Sequence, residues 1–99
     1  MNASSTDVRP GETAITVRYW AGARAAAGTA EDVFDATPGL TLADVVSLVL
    51  ERHPTDRMAR TVAACSVLLG EEPVASRDPG AVVVPPGSVV ELLPPFAGG

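Results

Sequence analysis

Lysine is absent: all seven basic residues are arginine. No side chain of this chain can therefore accept an isopeptide bond. A single cysteine, Cys65, excludes an internal disulfide. The fold must hold without a staple, and a reduced, cytoplasmic setting is expected. A single histidine, His53, leaves no second ligand visible for a metal site, and none is expected. Positive charge is scarce overall. Twelve acidic residues against seven arginines give a formal net charge of −5, which argues against nucleic acid or an anionic membrane as partner. No apolar run approaches the roughly 20 residues of a membrane-spanning helix. Residues 1–12 lack the apolar stretch of a secretion signal. No glycine-rich phosphate loop is present, because Gly98-Gly99 has no helix after it.

What remains is an apolar, acidic chain of 99 residues, 46% of them hydrophobic. That is enough for one small domain with a single core. Residues 1–12 are small and polar and read as a disordered lead-in. At 14–20, Ile15, Val17 and Tyr19 alternate with Thr16, Arg18 and Trp20, the period-two pattern of a strand with one face in the core. The alanine-rich stretch 23–27 suits a short helix stopped by Gly28. Residues 31–36 form a second strand candidate, and Thr37-Pro38-Gly39 a turn. The clearest helix is 42–52, where Leu42, Val45, Val46, Val49 and Leu50 share one face. Thr41 is its N-cap, with Asp44 placed as in a capping box. His53 and Arg52 suit its C-terminus, and Pro54 stops it. Residues 56–62 predict one or two more helical turns capped by Thr55. Strands are expected at 65–69, 81–84 and 89–93, with Gly70-Glu71 and Pro85-Pro86-Gly87 as turns and 73–80 irregular. Pro94 and Pro95 end the last strand, since neither has an N–H to donate.

Two strands, a helix and a returning set of strands predict a two-layer α+β sandwich, for which the β-grasp is the best-known solution. Its mixed sheet of four to five strands would pack on one main helix. The domain is expected over 13–93, followed by a flexible tail at 94–99.

That tail is the most specific feature. It reads Leu92-Leu93-Pro94-Pro95-Phe96-Ala97-Gly98-Gly99. Two apolar residues, two prolines, an apolar residue, a small one and Gly-Gly resemble the end of the molybdopterin synthase small subunits, within the MoaD/ThiS family of ubiquitin-like sulfur carriers. The opening strand and short helix, Val17-Arg18-Tyr19-Trp20-Ala21-Gly22-Ala23-Arg24-Ala25-Ala26-Ala27-Gly28, resemble the same family. So does Leu68-Leu69-Gly70-Glu71-Glu72-Pro73, although Leu69 stands where the family usually has Asn. The hairpin Pro85-Pro86-Gly87-Ser88 replaces the family's acidic turn.

The resemblance implies a sulfur carrier with its reactive group at the Gly99 carboxylate. A partner would adenylate it with ATP, a sulfur donor would convert it to a thiocarboxylate, and the sulfur would pass to a pterin precursor on the large subunit. The implied partners are an adenylating enzyme, the large subunit of molybdopterin synthase, and a sulfurtransferase or cysteine desulfurase. No cofactor would be bound by this chain itself. Gly98 and Gly99 lack a Cβ and can thread a narrow site. Pro94 and Pro95 stiffen the root and limit the entropy lost on insertion. Ala97 is the small residue between this root and the glycines. Phe96 is the expected anchor in a partner pocket. In this family the first and last strands lie parallel and adjacent, so Trp20, Leu93, Pro94 and Phe96 would form an exposed apolar patch for the partner. Trp20 buried in the core is the competing reading. Three other functions stay open: a sulfur carrier for cysteine, thiamine or a thio-containing natural product, a ubiquitin-like protein modifier, or an interaction module without covalent chemistry. Cys65 reads as a small buried residue, and Glu31-Asp32 and Glu71-Glu72 as solvated turns.

Overall fold

The computed structural model of the chain describes residues 13–95. The expected lead-in at 1–12 and the tail residues Phe96, Ala97, Gly98 and Gly99 lie outside the described residues.

Strand β1 is Ala14–Tyr19, and its alternation buries Ile15, Val17 and Tyr19 on one face. Helix α1, Ala21–Ala27, ends at Gly28, whose φ of 75° is the left-handed cap that glycine adopts without penalty. Strand β2, Glu31–Asp35, runs antiparallel to β1, with Ile15 opposite Phe34 and Val17 opposite Asp32. Helix α2, Leu42–Arg52, buries Leu42, Val45 and Val49. It starts at a complete capping box: the Thr41 N–H donates to Asp44 Oδ2 (2.9 Å), and the Asp44 N–H to Thr41 Oγ1 (3.2 Å). Helix α3, Asp56–Ala64, is capped by Thr55 and buries Met58 and Val62. Strands β3, Ser66–Leu69, and β4, Glu72–Pro73, form a short antiparallel pair. Strand β5, Val89–Leu93, completes the sheet.

The spatial order is β2-β1-β5-β3-β4. β5 lies parallel to β1, with Val17 opposite Val90 and Tyr19 opposite Leu92, and antiparallel to β3. The helices cover one face. Between them and the sheet, Ile15, Val17, Tyr19, Phe34, Val90 and Leu92 meet Leu42, Val45, Val49, Met58 and Val62 in one core. The other face carries Thr16, Arg18, Glu91, Leu93 and Leu68. This is the β-grasp expected from the sequence, with a five-stranded mixed sheet.

Local departures have physical causes. The stretch 81–84 is not a sheet strand. Pro79–Ala81 is a 3-10 turn, and only Val83 forms a bridge, to Thr41. Val82 and Val84 are both buried, so the alternation was real, but its partner is the lead-in to α2. The Leu42 N–H donates to Val82 O, and the Val84 N–H to Leu40 O, each at 2.8 Å. Cys65 caps α3 and does not open β3; its N–H returns to Val62 O (3.1 Å). Glu72–Pro73 pairs with Leu69 and Leu68 where a solvated turn at Glu72 and irregular chain from Pro73 were expected. Asp32 is not in a solvated turn: its side chain is 12% exposed and lies within β2.

Candidate functional site at the root of the tail

β1 and β5 run parallel and end together, so the residues that follow them emerge at one edge. The Trp20 N–H continues the ladder by donating to Leu92 O (3.2 Å). The chain then turns sharply into α1. Ala21 takes a φ of 47°, a left-handed conformation that costs a non-glycine residue about 1 kcal/mol. The turn sets Trp20 outward, 44% exposed. Its ring is held against β5 by a hydrogen bond from Nε1 to Glu91 Oε1 (2.9 Å).

On β5, Leu92 faces the core and Leu93 faces away, half-buried. Leu93 is paired with Ser66 of β3. Pro94 and Pro95 follow and cannot extend the ladder. Trp20, Leu93, Pro94 and Pro95, with Ala21, Gly22, Thr61 and Ala64, line a groove of about 500 Å³ whose walls are largely apolar. Four residues singled out in the sequence thus come together in one place. Phe96, Ala97, Gly98 and Gly99 lie outside the described residues.

Thr61 and Ala64 were not anticipated. They form the α3 wall of the groove, three residues apart, with half-buried Thr61 flanking buried Met58 and Ala64 exposed. The helix was expected to stop at 62, and alanine and threonine carry no amphipathic signal that would have extended it.

A second polar cluster lies elsewhere. The Asp32 carboxylate accepts from Tyr19 Oη (2.8 Å), pairs with His53 Nε2 (2.6 Å), and receives Arg52 Nη1 (3.2 Å). His53 also caps α2 through its backbone N–H, which donates to Val49 O (2.9 Å). This cluster ties β1 and β2 to the end of α2. Among the described residues no group of three or more His, Cys, Asp and Glu could hold a metal ion. No described helix is long and apolar enough to cross a membrane.

No family model and no curated protein matches the chain. Solved structures do. SAMP1 from Haloferax volcanii is 20% identical with a TM-score of 0.73, over 87% of this chain and 99% of that one. Urm1 from Trypanosoma brucei is 18% identical with a TM-score of 0.68, over 88% and 96%. A chain of the protein–protein complex of subunits 1 and 2 of molybdopterin-converting factor from Helicobacter pylori 26695 is 19% identical with a TM-score of 0.60, over 87% and 99%. At these identities the likeness carries the fold: this chain has the β-grasp architecture of SAMP1, Urm1 and the molybdopterin-converting factor complex.

Proposed function

We propose that the chain is a sulfur carrier, the small subunit of a molybdopterin synthase, acting through the carboxylate of Gly99. The observation that carries this reading is an apolar groove at the root of a Pro-Pro-Phe-Ala-Gly-Gly tail on a β-grasp fold. The likeness to the complex of molybdopterin-converting factor subunits 1 and 2 supports the pathway.

The chemistry belongs to the tail and the positioning to the groove. The Gly99 carboxylate attacks the α-phosphate of ATP on an adenylating partner, and pyrophosphate leaves. Sulfide then attacks the acyl carbon, AMP leaves, and a thiocarboxylate remains. Where the donor is the persulfide of a sulfurtransferase or cysteine desulfurase, the same displacement gives an acyl disulfide. A second thiol on the donor cleaves it, releasing the thiocarboxylate and leaving the donor as a disulfide. Delivery to the pterin precursor takes place on the large subunit. The chain itself holds no cofactor, and ATP is consumed by the partner. Trp20, Leu93, Pro94 and Pro95 give the partner an apolar surface to desolvate. Phe96 fills a partner pocket, and Ala97, Gly98 and Gly99 pass without side-chain bulk into a narrow channel. The setting is cytoplasmic.

A second reading shares the tail. The fold is also that of small archaeal modifier protein 1 from Haloferax volcanii. An acyl-adenylate at Gly99 would equally accept the amine of a target protein, with AMP leaving and an amide formed.

Intact-protein mass spectrometry after incubation with the cognate adenylating enzyme, ATP and sulfide tests the carrier reading. The expected gain is that of one oxygen replaced by sulfur, and it is lost when Gly99 is deleted while the melting transition is unchanged. Sulfur transfer undiminished by that deletion would reject the reading. Gain of the mass of a second protein, in a lysate with ATP, would select the modifier.

A further inference from the structure

Among the described residues, the ladder between β1 and β2 leaves one side of β2 free. The Tyr19 N–H donates to Ala30 O (2.9 Å) and the Ala36 N–H to Thr13 O (2.7 Å). With the register between them, residues 30, 32, 34 and 36 bond to β1. Glu31, Val33 and Asp35 therefore direct their N–H and C=O groups outward, as antiparallel alternation requires. Among the described residues β2 is the last strand on its side of the sheet. It has five residues, no proline, and a Val33 that is 51% exposed. The opposite edge, β4, has two residues and ends in Pro73, a protected edge.

Along the open edge, between β2 and α2, runs a groove of about 580 Å³. Consecutive residues Val33, Phe34 and Asp35 line it, so it meets the edge of the strand and not only one face. Phe34, Leu40 and Leu48 supply apolar surface, and Asp35 and Asp44 supply negative charge. The one cation there, Arg52, is engaged by Asp32 (3.2 Å) and stacks on the Phe34 ring (4.6 Å).

Charge selects the occupant. Two copies of β2 paired antiparallel about Val33 would set Glu31 opposite Asp35 twice, with like charges facing each other. A basic strand in the same register would meet Asp35 with opposite charge, and would share Glu31 with Arg18, whose pair with it is long (3.7 Å) and about half exposed. We propose that the β2 edge and its groove bind an extended, basic segment of a partner protein, added to the sheet as a sixth strand. Its apolar side chains would face Phe34 and Leu48, and its alternating basic side chains would face Glu31 and Asp35. The surface shares no residue with the groove that ends in Pro94 and Pro95, so a partner could hold the chain here while that groove stays open.

The test uses the full chain, labelled with nitrogen-15, and the blocked pentapeptide Arg-Val-Arg-Val-Arg. Saturable shifts centred on β2 are expected, with amide exchange at Val33 and Asp35 slowed on the order of tenfold at saturation. N-methylation of the central peptide arginine removes the donor that faces Val33 O and should weaken binding on the order of tenfold. Val33→Pro removes the opposing N–H without breaking a bond inside the protein, and should do the same; the methylated peptide decides if that variant fails to fold. Equal binding of Glu-Val-Glu-Val-Glu, indifference to the methyl group, shifts centred on Trp20 and Leu93, or no saturation at millimolar peptide would each overturn the proposal. Protection of Val33 in a dimer of the peptide-free chain would also overturn it, in favour of a second copy.

Discussion

Three groups share the carboxylate of Asp32: the Tyr19 hydroxyl, the His53 ring and the Arg52 guanidinium. Burial pushes this carboxyl up, but the hydrogen bonds from His53 and Tyr19 and the charges of His53 and Arg52 outweigh it and hold it below the usual carboxylate range. A depressed folded value stabilises the fold above the unfolded value of about 3.9, and that contribution is lost as pH falls through the folded one. Asp32→Asn should therefore cost about 1–3 kcal/mol at neutral pH. In urea titrations the gap to the parent chain should close below about pH 4. A gap that persists into acid would mean that Asp32 acts by packing and not by charge. The same burial raises the Tyr19 hydroxyl, with Asp32 adding to the effect, so it stays protonated and donating. Cys65 is the inert counterpart. Burial pushes its thiol up to about 11, and its Sγ donates to Thr61 O (3.2 Å). Alkylation by iodoacetamide at neutral pH should be on the order of a hundredfold slower than in urea, a rate read by mass spectrometry. The sequence pointed to a quiet Cys65 but not to the Asp32 cluster. An acid beside another acid reads as surface, and its three partners come from β1 and the end of α2.

Elements with their own period were legible: β1, α2 and β5 appear where alternation or helical spacing places them. The Thr41 cap is a local signal and correspondingly reliable. Thr41→Ala should cost about 1 kcal/mol, measured by thermal melting, with the loss centred on the first turn of α2 in amide exchange. Asp44 answers to the same cap: the Thr41 backbone N–H and hydroxyl hold its carboxyl below the ordinary range. Elements whose partner is distant in sequence were harder to read. Val82 and Val84 alternate like a strand yet close on Leu40 and Leu42 outside the sheet. β4 is too short for any pattern and exists because Glu72 and Pro73 fall opposite Leu69 and Leu68. The tail-root groove depends on parallel pairing of the first and last strands, which no local pattern encodes. Trp20 and Leu93 were grouped because of the family resemblance, and the α3 wall of Thr61 and Ala64 was not foreseen at all.

For the whole molecule, the groove at the tail root separates folding from partnership. Trp20 lies outside the buried core, and its ring is tied to the sheet by the hydrogen bond to Glu91. Trp20→Ala should change stability by no more than about 1 kcal/mol, yet, on the proposed function, weaken binding to a molybdopterin synthase large subunit by about 2 kcal/mol. Calorimetry of the two properties checks this, and equal losses in both would make Trp20 a structural residue. The position of β5 has a consequence for biosynthesis. Without residues 89–93 the sheet is two separate ladders, β1 with β2 and β3 with β4, and the halves meet only outside the sheet, as where Leu40 and Leu42 bond to Val84 and Val82. The last strand made is the one that welds the halves, and it is also the strand from which the tail departs. A full-length chain whose sheet has not closed therefore has no assembled groove to offer beside its tail. Selection of folded chains over defective ones would need no separate inspector, because the surface a partner would grip comes into being only when the sheet closes.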